Sequence, residues 1–507
     1  MRLNDLLAGL DGCQVEGDLQ CEISGVTDDS RRVTPGSLFV GVKGTRVDGH
    51  AYIQEAVARG AAAVVLENQR GEKGAPSLPG SVIRICVPNS RRALGHVADA
   101  FWHHPSRRLK LVGITGTNGK TTTAFLVETI LRMAGKRTGM IGTVRWGFDS
   151  NWQPAPQTTP GAIEIQSRLD EMANRGVEFC VMEVSSHALA QDRVWGCGFQ
   201  AAVFTNLSQD HLDFHQTMES YFDAKALLFT DYPIGSAVIN RDDPWGGKLL
   251  EMCRVPRLSY SAGETGDLMM RDVRLSLGGL SGILRTPAGE RPLTAHLLGK
   301  HNLMNILAAA GACHFLGADL SAVTRGIESL EGVPGRFEKV DEGQDFGVIV
   351  DYAHTDDALK NLLTTARELK PRRLIVLFGC GGDRDKGKRP LMGEAAAELG
   401  DCVILTSDNP RSEDPEAILG EIEVGVKRAS VRVPYLRISD RREAIARAIS
   451  EGSAGDLVVI AGKGHETEQI IGSRRFPFDD RQVARDFLKQ RLGHGVGQKP
   501  EEKRRSV

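Results

Sequence analysis

Short apolar runs recur along this chain at intervals that leave room for a helix between them, and most end abruptly in polar residues. In the first hundred residues, SLFVGV, AAAVVL and SVIRICV read as strands, with YIQEAVARG as a helix between the first two. The basic stretch FWHHPSRRLK, 101–110, reads as the connection out of this small α/β block. A second block follows with apolar strands at LVGIT, FCVMEV (179–184), AAVFTNL (201–207) and SAVIN (236–240), closed by a helical pattern, NLMNILAAAGACHFLG. The turn GVPG, 332–335, is the expected hinge into a third block. There GVIVDYA, RLIVLFG, CVILTSD and DLVVIAGKG alternate with the helical patterns DALKNLLTTARELK and EAAAEL and two more. Runs apolar on both faces, separated by helices, predict parallel strands, doubly wound in the third block. The polar tail over 494–507 is expected to be disordered, with its KRR cluster a solvated end.

Composition narrows the functional classes. A chain of 507 residues exceeds one hydrophobic core, so two to four domains are expected. With 63 Lys and Arg against 65 Asp and Glu, no global field attracts nucleic acid or a membrane surface, and neither is expected as a partner. No apolar run approaches the roughly 18–20 residues of a membrane span, and MRLNDLLAGLDG lacks the apolar stretch of a signal peptide. Nine cysteines without a CxxC pair argue against a disulfide framework and against a zinc site, so a reducing cytoplasm is expected.

The segment LVGITGTNGKTTT, 111–123, carries the clearest chemistry. An apolar strand stops at a glycine-rich turn and feeds a helix, which aims backbone N–H groups and the positive helix end into one small space. Lys120 and Thr121 suit that space to the β- and γ-phosphates and the magnesium of a nucleoside triphosphate. The spacing departs from the strict GxxxxGK[ST] form because Ile114 occupies the first glycine position. Gly116, Thr117, Asn118, Gly119, Lys120, Thr121 and Thr122 are the expected ATP-binding residues.

Further segments identify a family: TTPGAIEIQ, MEVSSHALAQDRV, FTNLSQDHLDFH, GVPGRFE, DYAHT, FGCGGDRDKGKRPLM, SDNPRSEDP and AGKGHE. With the phosphate loop and in this order, they resemble the Mur ligases, ATP-dependent amino-acid ligases that build the peptidoglycan stem peptide. The resemblance covers roughly residues 20 to 490 and implies three α/β domains. These are a small N-terminal UDP-binding domain over 1–107, a central P-loop ATPase-like parallel-sheet domain over 108–333, and a C-terminal Rossmann-like, amino-acid-binding domain over 334–493. The implied activity is ADP-forming: ATP phosphorylates a carboxylate, and an amine attacks the acyl phosphate. Small-molecule substrates and a monomer are expected.

The resemblance also implies roles for individual residues. Lys120, Glu183, His211 and Lys225 would be catalytic. Thr121, Glu183, His211 and Lys225 would hold magnesium, with Lys225 carbamylated to N6-carboxylysine. Taken alone, Lys225 reads as a surface lysine on an amphipathic helix. Asn302, Arg336 and Asp351 would bind the nucleotide. Two departures from the family pattern stand nearby, His301 in place of phenylalanine and Asp356 in place of proline. Ser30, with Arg31 beside it, and Thr158, Thr159, Ser185, Gln191 and Arg193 would hold a UDP-N-acetylmuramoyl-dipeptide, since hydroxyls and an arginine suit phosphate and carboxylate oxygens.

The motif Asp408-Asn409-Pro410-Arg411 resembles the signature of the branch that adds meso-diaminopimelate, with Arg384, Gly462 and Glu466 as further contacts. This substrate differs from lysine by one distal carboxylate, which an arginine recognises with two parallel bonds. The cations Arg384, Lys386, Lys388 and Arg389 after GCGG are expected to receive an anionic substrate. Alternatives are a lysine-adding or other Mur ligase, a folylpolyglutamate synthetase, and, in other classes, a P-loop ATPase that couples hydrolysis to partner binding or a catalytically dead nucleotide-binding module.

Overall fold

A computed structural model describes residues 1–44, 47–67, 78–276 and 278–493. The tail over 494–507, read above as disordered, lies outside the described residues. The chain forms two compact units. The first comprises 1–271, 283–293 and 304–329; the second comprises 272–282, 294–303 and 330–507.

The first unit contains two sheets. The smaller runs in the order Gln14–Glu16, Ile83–Val87, Ala63–Glu67, Ser37–Val40, Gly25–Thr27, parallel except at its first member. Alternation sorts its side chains: Leu38, Val40, Ala63 and Val65 pack in one core, while Phe39, Val64 and Leu66 pack in another. Before the expected connection at 101–110 lies a helix the sequence reading did not name, Ser90–Phe101, capped by Asn89 through the amides of Arg91 and Arg92. That helix is largely alanine and glycine on its inner face, which weakened its apolar signal.

The larger sheet has eight strands. Six run parallel in the order Arg257–Tyr260, Ala237–Asn240, Ala201–Phe204, Lys110–Thr115, Phe179–Glu183, Thr138–Ile141. An antiparallel pair, Arg145–Phe148 and Asn151–Pro154, extends it and was not expected from the sequence. Chain order reverses direction across the sheet at Lys110–Thr115, the position where parallel sheets open a crevice beyond their carboxyl ends.

The second unit is built on a six-stranded sheet in the order Glu338–Lys339, Gly347–Asp351, Leu457–Ala461, Leu374–Phe378, Cys402–Leu405, Tyr435–Arg437. All neighbours but the first pair are parallel, as the alternation of runs predicts. Successive residues again divide between faces: Leu374, Val376 and Phe378 on one, Ile375 and Leu377 on the other. Helices cover both faces, among them Asp356–Glu368, Lys388–Leu399, Pro415–Arg428 and Arg441–Glu451. A hairpin, Glu468–Ile471 with Arg474–Pro477, and a separate three-stranded sheet between Met269 and Ala295 were not foreseen.

Candidate functional site

In the first unit the strand Lys110–Thr115 delivers the loop 116–119, and the helix Lys120–Met133 starts directly after it. Gly116 sits at φ +148°, and a Cβ there would stand 1.8 Å from Thr205 Oγ1, so only glycine fits. The loop is braced from the neighbouring strand's end. The amide of Thr117 donates to Asn206 O at 2.8 Å, that of Asn118 to Asn206 Oδ1 at 2.9 Å, and Thr205 Oγ1 to Asn118 O at 2.6 Å. Lys120 Nζ folds over the loop onto the carbonyls of Gly116 and Thr117, at 2.9 and 2.8 Å.

Glu183 ends its strand fully buried. Its Oε2 accepts hydroxyls from Thr121 and Thr143, both at 2.9 Å, and its Oε1 accepts the Thr143 amide at 2.8 Å. These are neutral donors, and with them the buried carboxyl meets the rule that buried polar groups are bonded.

Lys225 departs from its expected surface position. The helix Met218–Thr230 buries Tyr221, Phe222, Ala224, Lys225, Ala226, Leu228 and Phe229 and exposes Glu219, Asp223 and Thr230, so Lys225 falls on its buried side. Its Nζ lies 4.5 Å from the centre of the Tyr221 ring and donates to Gly116 O at 2.8 Å, the same carbonyl that Lys120 bonds. Burial, and then the neighbouring Lys120 charge, hold the Lys225 amine well below the ordinary lysine range.

His211 takes a left-handed backbone at φ +54° and packs its ring 4.7 Å from that of His187. Burial and the two lysines hold it below the usual histidine range, although Asp210 opposes them. His215 is driven to about 4, chiefly by burial, and meets Ser186 Oγ at 3.0 Å.

The residues expected to hold a muramoyl-peptide join this group. Thr158 Oγ1 lies 3.1 Å from Thr143 Oγ1, and Thr159 Oγ1 donates to Glu183 O at 2.8 Å and to Ser185 Oγ at 3.3 Å. Arg193 bonds Gln191 Oε1 at 3.0 and 2.7 Å and Thr159 O at 3.1 Å. Ser30 is separate: its hydroxyl, in the turn after Gly25–Thr27, donates to Glu55 at 2.9 Å. Arg31 points outward and pairs with Asp29 at 2.8 Å.

The second unit gathers the other expected residues at the carboxyl ends of its parallel strands. Asp351 accepts the amides of Phe337 and Ala353 at 2.7 and 2.8 Å, and Arg336 lies 5.1 Å from the Tyr352 ring. Burial raises Asp351 above the usual carboxylate range, partly offset by Arg336. Asn302 donates to Leu298 O at 2.7 Å, and the His301 ring meets Phe337 edge-on at 5.6 Å. Asp356 opens the helix capped by Thr355; an acid in the first turn favours the helix dipole, so this departure is accommodated.

Asp408 to Arg411 follow Cys402–Leu405, and Gly462 to Glu466 follow Leu457–Ala461. Gly462 has φ +114°, and a Cβ would approach Asp408 Oδ2 to 2.9 Å. The backbone of Arg411 is strapped to the hairpin, its amide donating to Ile470 O at 3.1 Å and its carbonyl accepting from Gly472 at 2.7 Å. Its guanidinium spends one nitrogen on Gly382 O, at 2.7 Å. Arg384 is exposed and makes no hydrogen bond or ion pair among the described residues. Below both loops, the fully buried Arg441 pairs with Asp480 at 2.6 Å and donates to the carbonyls of Ser407 and Ala461 at 3.2 and 3.0 Å.

One expectation fails here. Arg389 does not face a substrate: it is fully buried and bonded to Glu413 at 2.9 Å and Glu421 at 2.8 Å. Lys386 also pairs with Glu413, at 3.2 Å, and Lys388 donates to His354 O at 2.7 Å. Of the four cations after GCGG, only Arg384 stays clear of such partners. Sequence reasoning also missed Thr143, Asn206 and Tyr221, because their roles arise from elements that meet only in the fold.

Family models match the chain in three consecutive pieces. They are "Mur ligase family, catalytic domain" over 22–102, "Mur ligase middle domain" over 114–313 and "Mur ligase, glutamate ligase domain" over 335–464. A UDP-N-acetylmuramoyl-L-alanyl-D-glutamate–2,6-diaminopimelate ligase from Geobacillus kaustophilus is 48% identical over 97% of this chain and all of its own. One of the same name from Gloeobacter violaceus is 50% identical over 98% of this chain and 99% of its own. A solved structure of a ligase of that name superposes with a TM-score of 0.71 at 34% identity, covering 98% of this chain and all of its own. With half its residues shared along nearly its whole length, and with the phosphate loop and strand-end clusters in the places described, the chain belongs to the Mur ligase family.

Proposed function

We propose that this chain is an ATP-dependent ligase that joins meso-diaminopimelate to UDP-N-acetylmuramoyl-L-alanyl-D-glutamate. The observation that carries the reading is the placement of opposite charges beyond the carboxyl ends of the two strands that flank Leu374–Phe378, Arg411 on one loop and Glu466 on the other. A distal end bearing both a carboxylate and an ammonium matches that pair; lysine, with an ammonium alone, leaves the arginine without an anion.

The reaction divides between residues of both units. ATP transfers its γ-phosphoryl to the glutamyl carboxylate, giving ADP and an acyl phosphate. The amine of the incoming amino acid then attacks the acyl carbon, and phosphate leaves. Lys120 would swing from the loop carbonyls to the β- and γ-phosphates and offset the negative charge that builds on the ADP oxygen as the bridging bond breaks. Asn206 and Thr205 hold the loop in shape while it does so. Thr158, Thr159, Ser185, Gln191 and Arg193 would position the peptide carboxylate beside the phosphate, and Ser30 would contact the uridine diphosphate. Asn302, Arg336 and Asp351 would hold the nucleoside, and Arg384, Asp408, Asn409, Pro410, Arg411, Gly462 and Glu466 the amino acid.

The donor chemistry near Glu183 fits magnesium, since among the described residues the carboxylate is held by hydroxyls and an amide and would break no ion pair to bind a cation. Thr121, Glu183, His211 and a carbamylated Lys225 would hold it; when bound, it would neutralise phosphate charge. Lys225 is suited to carbamylation because a neutral amine is the form that adds carbon dioxide, releasing one proton and leaving an anion. The segments 1–107, 108–333 and 334–493 would serve the UDP-sugar, ATP and the amino acid. All nine cysteines are unpaired, which suits the reducing cytoplasm.

The test is an amino-acid panel with the muramoyl-dipeptide and ATP, scored by phosphate release and product mass. Product with meso-diaminopimelate and little with L-lysine is expected. ATP hydrolysis at full rate without either acceptor would refute the reading and favour an ATPase.

A further inference from the structure

Between the two loops of the amino-acid site lies a fully buried lysine to which no role has been given above. Lys463 Nζ donates to Asn409 Oδ1 at 3.0 Å and to Glu466 Oε2 at 2.9 Å, and stands 3.7 Å from Asp408 Oδ1. Asn409 is itself buried, and its partners dictate which way its amide faces. Lys463 and the amide of Ile470, at 2.9 Å, are both donors and must meet the oxygen. Its Nδ2 is thereby turned to Glu466 Oε2, at 2.9 Å. Two donors thus occupy Glu466 Oε2, while Oε1 accepts no hydrogen bond among the described residues.

The charges can be counted. Asp408 and Glu466 bring two negative charges to this cluster and Lys463 brings one positive, leaving a single net negative charge. Arg411, on the same loop as Asp408, adds a cation. The site as built is therefore balanced for a ligand end that carries one ammonium and one carboxylate. Without Lys463 it would hold two uncompensated carboxylates, which repel a ligand carboxylate and attract a bare ammonium.

We propose that Lys463 is a specificity-determining positioning residue: it fixes Asn409 and Glu466 and offsets one carboxylate, so that the site prefers a zwitterionic side-chain end to a plain amine. The inference rests on the function proposed above. It assigns to Lys463 no contact with the substrate, only control of the groups that make one.

The experiment measures kcat and KM for meso-diaminopimelate, L-lysine and ATP on the full-length enzyme, for wild type, Lys463→Met and Lys463→Met/Asp408→Asn. In Lys463→Met the expected kcat/KM for meso-diaminopimelate falls about 100-fold, as when a buried charge pair loses one partner, mainly through KM. Discrimination against L-lysine drops at least about tenfold, and KM for ATP stays within about threefold. The double variant restores the single negative charge and should recover part of the discrimination, which a purely structural lysine would not predict. An unchanged ratio of the two amino acids in folded Lys463→Met, or a double variant less selective than the single, overturns the inference. If Lys463→Met does not fold, Lys463→Gln, which keeps a donor toward Asn409 without the charge, takes its place. Failure of both to fold overturns it too, since the lysine would then be structural. A wild type that favours L-lysine, or uses neither amino acid, refutes the proposed function instead.

Discussion

Removing Asp480 tests whether the floor of the amino-acid site is held by charge or by packing. Arg441 and Asp480 are both fully buried and joined at 2.6 and 2.8 Å, and the guanidinium also holds the carbonyls of Ser407 and Ala461. Those carbonyls immediately precede Asp408 and Gly462, so the pair pins the roots of both loops. In Asp480→Ala the arginine keeps its two carbonyls and loses its ion-pair partner in full burial. Breaking a buried pair in this way costs about 3–5 kcal/mol. For a unit of roughly 200 residues, each kcal/mol lowers the melting temperature by about 2–4 °C, so a drop of about 6–20 °C is expected. Calorimetry of the whole chain should show this loss in one transition only, because the two units need not melt together. Arg441→Met/Asp480→Leu removes both charges and should cost less than the sum of the singles, with a coupling of at least about 1 kcal/mol. In kinetics, Arg441→Met should raise KM for the diamino acid and leave KM for ATP nearly unchanged. Singles within about 0.5 kcal/mol of wild type, or strict additivity in the double, would refute the argument.

Three further outcomes are expected. Lys225→Ala should lower ligation by about a thousandfold while the fold, read by circular dichroism, is kept; a carbamate signal after 13C-bicarbonate should appear in wild type and vanish in the variant. Arg411→Ala should cut kcat/KM for meso-diaminopimelate about 100-fold or more with little change in KM for ATP, and equal losses on both would remove its assigned role. Acid stability should depend on Asp456: burial alone would raise its carboxyl, but the bonds from Arg373 and Arg372 bring it to about 2. Its folded value lies below the ordinary 3.8, so the stabilisation is complete above about pH 4 and is lost as pH falls toward 2. Asp456→Asn should therefore flatten the fall of the urea midpoint between about pH 4 and 2; parallel acid limbs would contradict it.

Much of the fold was legible because its parallel strands are buried on both faces. Runs such as LIVLF and LVVIA stand out as unbroken apolar stretches, and the observed strands fall within them. Strands with a wet face did not stand out. Asn151–Pro154 and Arg474–Pro477 carry polar or charged residues and are mostly exposed, so neither periodicity nor composition marks them. Charge was the least legible quantity. Arg389 looked free beside three other cations, but its partners Glu413 and Glu421 lie 24 and 32 residues away on another part of the chain. Lys225 looked like a surface residue, and the burial of nearly every neighbour on its helix reverses that. Lys463 gave no signal at all, since a lysine between two glycines says nothing of the three acceptors gathered around it.

Nearly every residue singled out above leaves the carboxyl end of a parallel strand, in three different sheets. In the larger sheet of the first unit the opposite rim carries turns at 134–137 and 175–178, which precede Thr138–Ile141 and Phe179–Glu183. Evolution and the bench chemist therefore have a free side on which to work. Fluorophores, affinity tags or surface tethers attached at those turns would leave turnover intact.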